Sequence, residues 1–200
     1  GDIDVDGTTN LDAVDIDGAV DMASTLQVDG AITSSAGATI TTADNSAQLT
    51  LISTDADANA GPFLKLRRDS GSPADSDLTG SINFTADDDA GNETTFASIA
   101  TKISDASNGT ESGKIEISNM VAGTSRKLIN IKSNEVVIND DSVDVDFRVE
   151  SDNTTHALFV EGSSGNVGIG DSDPTRMLHI KALGTGTAEQ AALLMENEVG

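Results

Sequence analysis

Ile3-Asp4-Val5-Asp6-Gly7 returns as Val14-Asp15-Ile16-Asp17-Gly18 and again as Leu26-Gln27-Val28-Asp29-Gly30. The glycines stand 11 and then 12 residues apart. Each phrase alternates apolar and polar residues, the period-2 pattern of a half-buried strand. Each ends in Asp-Gly, a turn signal, because glycine enters positive φ without steric cost. A strand and a turn stacked at a fixed period predict an elongated repeat. Ordering one such repeat costs roughly 1–2 kcal/mol per residue in backbone entropy. Three buried aliphatic side chains return only about 1.5–3 kcal/mol each. One repeat therefore needs neighbours in its own chain and in others. Val5, Val14, Ile16 and Val28 are expected to face a core shared between chains, as are Val167 and Ile169 of a later slim stretch.

Composition sets limits around that expectation. At 200 residues the chain is long enough for one domain or two. Without cysteine it can form no disulfide and use no thiolate. It also lacks Trp and Tyr, and its five Phe residues (Phe63, Phe84, Phe96, Phe147 and Phe159) leave little aromatic bulk for a wide core. The formal net charge is −23, and eleven Asp precede the first basic residue, Lys65. Nucleic acid and anionic membrane surfaces are poor partners for such a chain. The charge does keep an edge-rich β-structure apart from its copies. Ile, Leu, Val and Phe make up about 23% of residues, above the level of about 20% below which acidic chains are disordered. No apolar run approaches the 18 or so residues of a membrane-spanning helix, so no membrane insertion is expected. The sequence opens and closes in mid-pattern, as a segment of a longer polypeptide would.

Four stretches differ in style. Residues 1–46 form the repeat shaft, with a turn expected at Ser34–Gly37. Residues 47–139 form a knob of longer strands, predicted at 48–53, 63–67, 80–85, 95–104, 113–118, 126–132 and 135–139. Strong breakers such as Asp87-Asp88-Asp89-Ala90-Gly91-Asn92 and Asn108-Gly109 separate them, suggesting a sandwich or meander. Residues 140–181 return to the slim style, with alternation over 142–149. Residues 182–200 begin a further module, in which 188–197 reads as strand or helix.

Few residues point to chemistry. Asp2, Asp4 and Asp6 match the first half of an EF-hand loop, but the twelfth position, which needs a bidentate Glu, is Ala13. Asp87 and Asp89 sit in the densest acidic loop, and hard oxygen ligands suit Ca2+. These five are the candidate metal ligands, and outward carboxylates on strands and loops are the plainer account of them. His156 and His179 are the only histidines and read as structural or surface residues. Gly165–Gly170 lacks the Gly-Lys-Ser/Thr ending of a P-loop and reads as a tight turn between close-packed chains. No catalytic or cofactor-binding residue is assigned.

The phrase Gly165-Asn166-Val167-Gly168-Ile169-Gly170, followed by Pro174 and Leu178-His179-Ile180, resembles one common in bacteriophage tail-fibre proteins. The Asp-Gly repeats of residues 1–33 look like tail-fibre shaft repeats. The block from Pro62-Phe63-Leu64-Lys65-Leu66 to Ser104 looks like a module of the same proteins. Asp171 stands where Thr is usual and Asp173 where Ser is common, and both read as surface changes. The resemblance implies an extracellular, virion-attached homotrimer, made in the host cytoplasm. Its partners would be two identical chains, other tail proteins and a bacterial surface receptor or glycan. Relatives often end in a self-cleaving chaperone domain, and none of that domain's residues map onto this sequence.

The expected architecture is thus an all-β, elongated trimeric fibre of shaft, knob and shaft, with a mechanical and adhesive role rather than an enzymatic one. A bacterial surface adhesin or secreted matrix fibre would obey the same physics. A calcium-dependent binding module is the remaining alternative.

Overall fold

The computed structural model describes residues 16–22, 25–58 and 61–181. Asp2, Asp4, Asp6, Val5, Val14 and the stretch 182–200 lie outside the described residues. The chain divides into two units, Gly1–Phe63 and Leu64–Gly200.

Among the described residues of the first unit there is no strand, and no backbone–backbone hydrogen bond joins any two of residues 16–58. The turn expected at Ser34–Gly37 forms: Ser34 Oγ donates to Gly37 O at 2.7 Å, and Gly37 adopts φ +94°. A second turn closes where Asp44 Oδ1 accepts the Ser46 N–H at 2.9 Å. The alternating segments 48–53 and 63–67 are not strands. Alternation equips a segment to lie half-buried in a sheet, but strand geometry needs a backbone partner, and the chain offers these segments none.

The second unit is all-β among its described residues. Five strands form one antiparallel meander in the order β1-β2-β3-β4-β5: β1 (Leu78–Asp87), β2 (Glu93–Asp105), β3 (Ser112–Val121), β4 (Thr124–Ile131) and β5 (Val136–Ile138). Each lies on a predicted strand. Of the two arrangements the sequence suggested, meander and sandwich, the structure takes the meander. Four shorter strands make a second sheet, β6-β7-β8-β9: β6 (Phe147–Ser151), β7 (Thr154–Val160), β8 (Val167–Ile169) and β9 (Leu178–Ile180), the last pair parallel. Within 142–149 only the end becomes strand. Ser142 takes φ +51°, and Val145 N–H closes on Val143 O at 2.8 Å.

Acidic side chains shape the hairpin loops. Asp88 Oδ1 accepts the backbone N–H groups of Ala90 and Asn92, both at 2.9 Å. Gly91 turns there at φ +82°. Asp105 Oδ1 accepts the Ser107 N–H, and its Oδ2 accepts Thr110 Oγ1. The β3–β4 hairpin is tighter. Val121 pairs with Thr124, and both central residues lie at positive φ, Ala122 at +47° and Gly123 at +77°. This two-residue turn favours Asn at its first central position, since an alanine Cβ gains nothing from the left-handed region. Ala122→Asn is expected to stabilise the unit by about 0.5–1 kcal/mol. A thermal or urea melt measures it, and an unchanged midpoint would count against the turn assignment.

The two sheets join through Asn139, at φ +60°. Its Nδ2 donates to Val143 O at 2.7 Å, and its Oδ1 accepts the Val143 N–H at 3.1 Å. The side-chain amide thereby imitates one rung of a backbone ladder.

Candidate functional site

The register of the first sheet sorts its side chains into two unlike faces. Ile82, Ile99, Ile117, Ile129 and Ile138 stand opposite one another in a row that crosses all five strands. Two residues along, the next row is Gly80, Thr101, Ile115, Ile131 and Val136. Phe84 and Ala97 continue the same face on β1 and β2. The first two rows carry no charge, and the third runs on from Ala97 to Asn119 and Arg126. Ile82, Ile99, Ile115, Ile131, Val136 and Ile138 remain 38–62% exposed. A shallow groove of about 490 Å³ is lined by Ile103, Gly113, Ile115 and Ile131 together with Lys102, Lys114 and Lys132.

The opposite face is polar and holds the ion pairs of the sheet, with Asn130 Oδ1 buried and unpartnered. Its middle row runs Ser81, Ala100, Glu116, Asn130 and Val137. Glu116 is buried and bridges two lysines, Lys102 Nζ at 2.7 Å and Lys114 Nζ at 3.1 Å. Burial works to raise the Glu116 pKa, but hydrogen bonds and charge from both lysines outweigh it and hold the carboxyl below its ordinary value. Beside it, Asp140 Oδ2 accepts Lys127 Nζ at 3.0 Å and the buried Asn130 Nδ2 at 2.9 Å. Asp141 adds a second carboxylate to Lys127 at 3.3 Å.

The second sheet repeats the design. Phe147, Val160, Val167 and Leu178 stand in one row, and Val149 faces Leu158 while Ile169 faces Ile180 on the same side. All eight are apolar. Val149, Ile169 and Leu178 are 41–55% exposed. The other side carries the row Arg148, Phe159, Gly168 and His179. Phe159 is buried there, its ring edge-on to His156 with centroids 5.2 Å apart.

Asp171 corrects an expectation of the sequence. It is no surface residue. It is 3% exposed, with Oδ2 2.6 Å from His179 Nδ1 and Oδ1 3.3 Å from Lys181 Nζ. Neither Asp171 Oδ2 nor His179 Nδ1 has a well-aligned hydrogen-bond partner. The carboxylate clamps the strand that follows its own turn. Glycine makes room for this clamp, because a Cβ at Gly168 would lie 2.4 Å from Asp171 O. The close approach around Gly168 is therefore made within the chain. The signal was present in the sequence as His179 and Lys181, two apart in an extended stretch after an acidic turn residue.

Burial works to raise the Asp171 pKa. A hydrogen bond from Lys181, the Asp173 backbone N–H and the charges of His179 and Lys181 outweigh it and hold the carboxyl below its ordinary value. A carboxyl with a lower pKa folded than unfolded adds stability that is complete above the unfolded value of about 3.9. That stability is lost as pH falls through the folded value. Asp171→Asn is therefore expected to lower the urea midpoint at pH 7 and to flatten its decline below about pH 4. Parallel acid limbs in the two proteins would refute the clamp.

The sequence-predicted site residues are placed as follows. Ile16 and Val28 are exposed in the first unit, at 54% and 43%. Val167 and Ile169 share the apolar face of the second sheet. Asp87 and Asp89 are exposed beside Asp88, whose carboxylate is occupied by the loop's own N–H groups. Among the described residues no three His, Asp or Glu side chains converge as metal ligands would. The rows of isoleucine were legible as single strands in the sequence, but their alignment across five strands was not.

No protein-family model matches this sequence, and no curated protein matches it.

Proposed function

We propose that this chain is a structural fibre protein of a virion, a tail fibre or adhesin that works as a homotrimer in host-cell attachment. One observation carries the assembly: two largely apolar sheet faces lie uncovered while the faces behind them hold the ion pairs. With strands about 4.8 Å apart and residues about 3.3 Å apart, the first face covers about 380 Å² and the second about 250 Å². Together they approach the roughly 800 Å² that each partner gives to a stable interface. A chain of net charge −23 repels its copies almost everywhere else. The aliphatic rows are where copies can meet, and β3, the middle strand of five, lies nearest the shared axis.

The attachment role rests on the likeness of residues 165–180 and of the Asp-Gly repeats to tail-fibre sequences. The protein would be extracellular, on the virion tail, with other tail proteins at its ends and a bacterial receptor or glycan as its target. The role is mechanical and adhesive, with no catalytic step. Mass photometry tests the assembly: a species of three times the 20.4 kDa chain mass is expected, and a stable folded monomer would overturn it. Antibody labelling tests the owner. Label on isolated virions supports the tail fibre, and label confined to bacterial cells would make the chain a surface adhesin.

A further inference from the structure

The two edges of the first sheet are built differently. β5 is three residues long and flanked by charge, with Lys132 and Glu135 before it and Asp140 and Asp141 after it. Shortness and charge are how proteins close a sheet edge against further strands. β1 has neither. It is ten residues long, with no charged residue and no proline from Leu78 to Ala86. Ser81 to Asp87 is exposed throughout, and Gly80 to Phe84 pairs with β2 without irregularity. One edge is guarded and the other is open from Ser81 to Asp87.

We propose that the β1 edge takes a strand from a second copy of this chain, and that the incoming strand is residues 48–53. The proposal rests on the homotrimer reading above. Gln48-Leu49-Thr50-Leu51-Ile52-Ser53 contains no charge, proline or glycine. It alternates over Leu49, Thr50 and Leu51, and its backbone groups make no ladder in their own chain. Its six residues span about 20 Å, enough to cover the regular part of β1. Leu49 and Leu51 add one column to the aliphatic face beside Ile82 and Phe84, and Thr50 falls on the side of Ser81 and Asn83. The alternative donor, 63–67, carries Lys65 and Arg67. Its Leu66 already lies against β1 of its own chain, 3.0 Å from where a Cβ on Gly80 would stand. Each copy offers one edge and one donor strand, so the contact is heterologous and closes into a ring under threefold rotation.

Hydrogen exchange on the intact assembled protein tests this, with mass photometry on the same samples. Amides of residues 80–85 are expected to be protected in the native protein. In Thr50→Pro, which removes a ladder donor, and in Asn83→Lys, which guards the edge, their protection falls about tenfold while that of β2 to β4 holds. Because the chain has no cysteine, Thr50→Cys with Asn83→Cys provides a second readout. Disulfide-linked multimers on a denaturing gel support the proposal, and a disulfide closed within one chain overturns it. Equal exchange at 80–85 in native protein and Thr50→Pro also overturns it. If trimers persist in that case, strand donation alone has failed. If no trimer forms in the native protein, the homotrimer reading has failed with it.

Discussion

Ile117→Asp is expected to leave the chain monomeric at concentrations where the native protein assembles. Ile117 sits at the centre of the isoleucine row, on the middle strand. In a threefold assembly its three copies approach one axis. A carboxylate there would lose its water without gaining a partner, and the effective penalty for a buried unpaired charge is several kcal/mol per ion. Three like charges facing one another add repulsion. Each 1.4 kcal/mol is a factor of ten, so association should weaken by about a thousandfold or more. Size-exclusion chromatography and mass photometry read the outcome. Ile117→Val keeps shape and polarity and should still assemble. Ser118→Asp, one residue away on the opposite face, should assemble as well. Dissociation by Ser118→Asp with none by Ile117→Asp would mean that the polar face, not the aliphatic one, is shared.

Gly168→Ala is expected to destabilise the second sheet by about 3 kcal/mol, the upper part of the usual range for overpacking. The new methyl would stand 2.4 Å from the backbone oxygen of Asp171. A main-chain oxygen cannot swing aside as a side-chain end can, so the turn must move. With it goes the carboxylate that holds His179 and Lys181. Gly162→Ala should act similarly, since its methyl would meet Val145 N, O and C at 2.6, 2.7 and 2.8 Å. Loss of exchange protection at Leu178–Ile180, with the five-stranded sheet intact, is the expected signature. Native protection and an unchanged midpoint would show that the close approach is not as tight as described.

The β-content of the knob was legible because its strands alternate cleanly and their separators are strong breakers. All five strands of the first sheet fall on predicted segments, since hairpin partners lie next to each other in the sequence and pattern fixes both. Segments 48–53 and 63–67 carry the same pattern without becoming strands. Pattern describes a side chain's preference for one face, whereas a strand also needs a backbone neighbour. The aligned isoleucine row could not be read in advance, because register depends on bulges such as those at Phe84/Thr85 and Ile117/Ser118. The Asp171 clamp was hidden for a related reason. An acidic residue in a Gly-Pro-rich turn looks solvated until the following strand returns in parallel and covers it. The Asp88 loop shows the converse, as one acid of the run, Asp88, is engaged with the backbone of its own hairpin while Asp87 and Asp89 stay exposed.

Tension applied along the second unit would pass from Ile138 to Phe147 through Asn139. Within either sheet, force meets several rungs at once. Between them the load falls on the Asn139 amide, with its bonds to Val143 and Val145, and on the bonds of Asp140 and Asp141 to Lys127 and Asn130. That joint is the mechanical fuse of the second unit. Under tension it should yield before any hairpin unzips and let out slack while both sheets keep their shape.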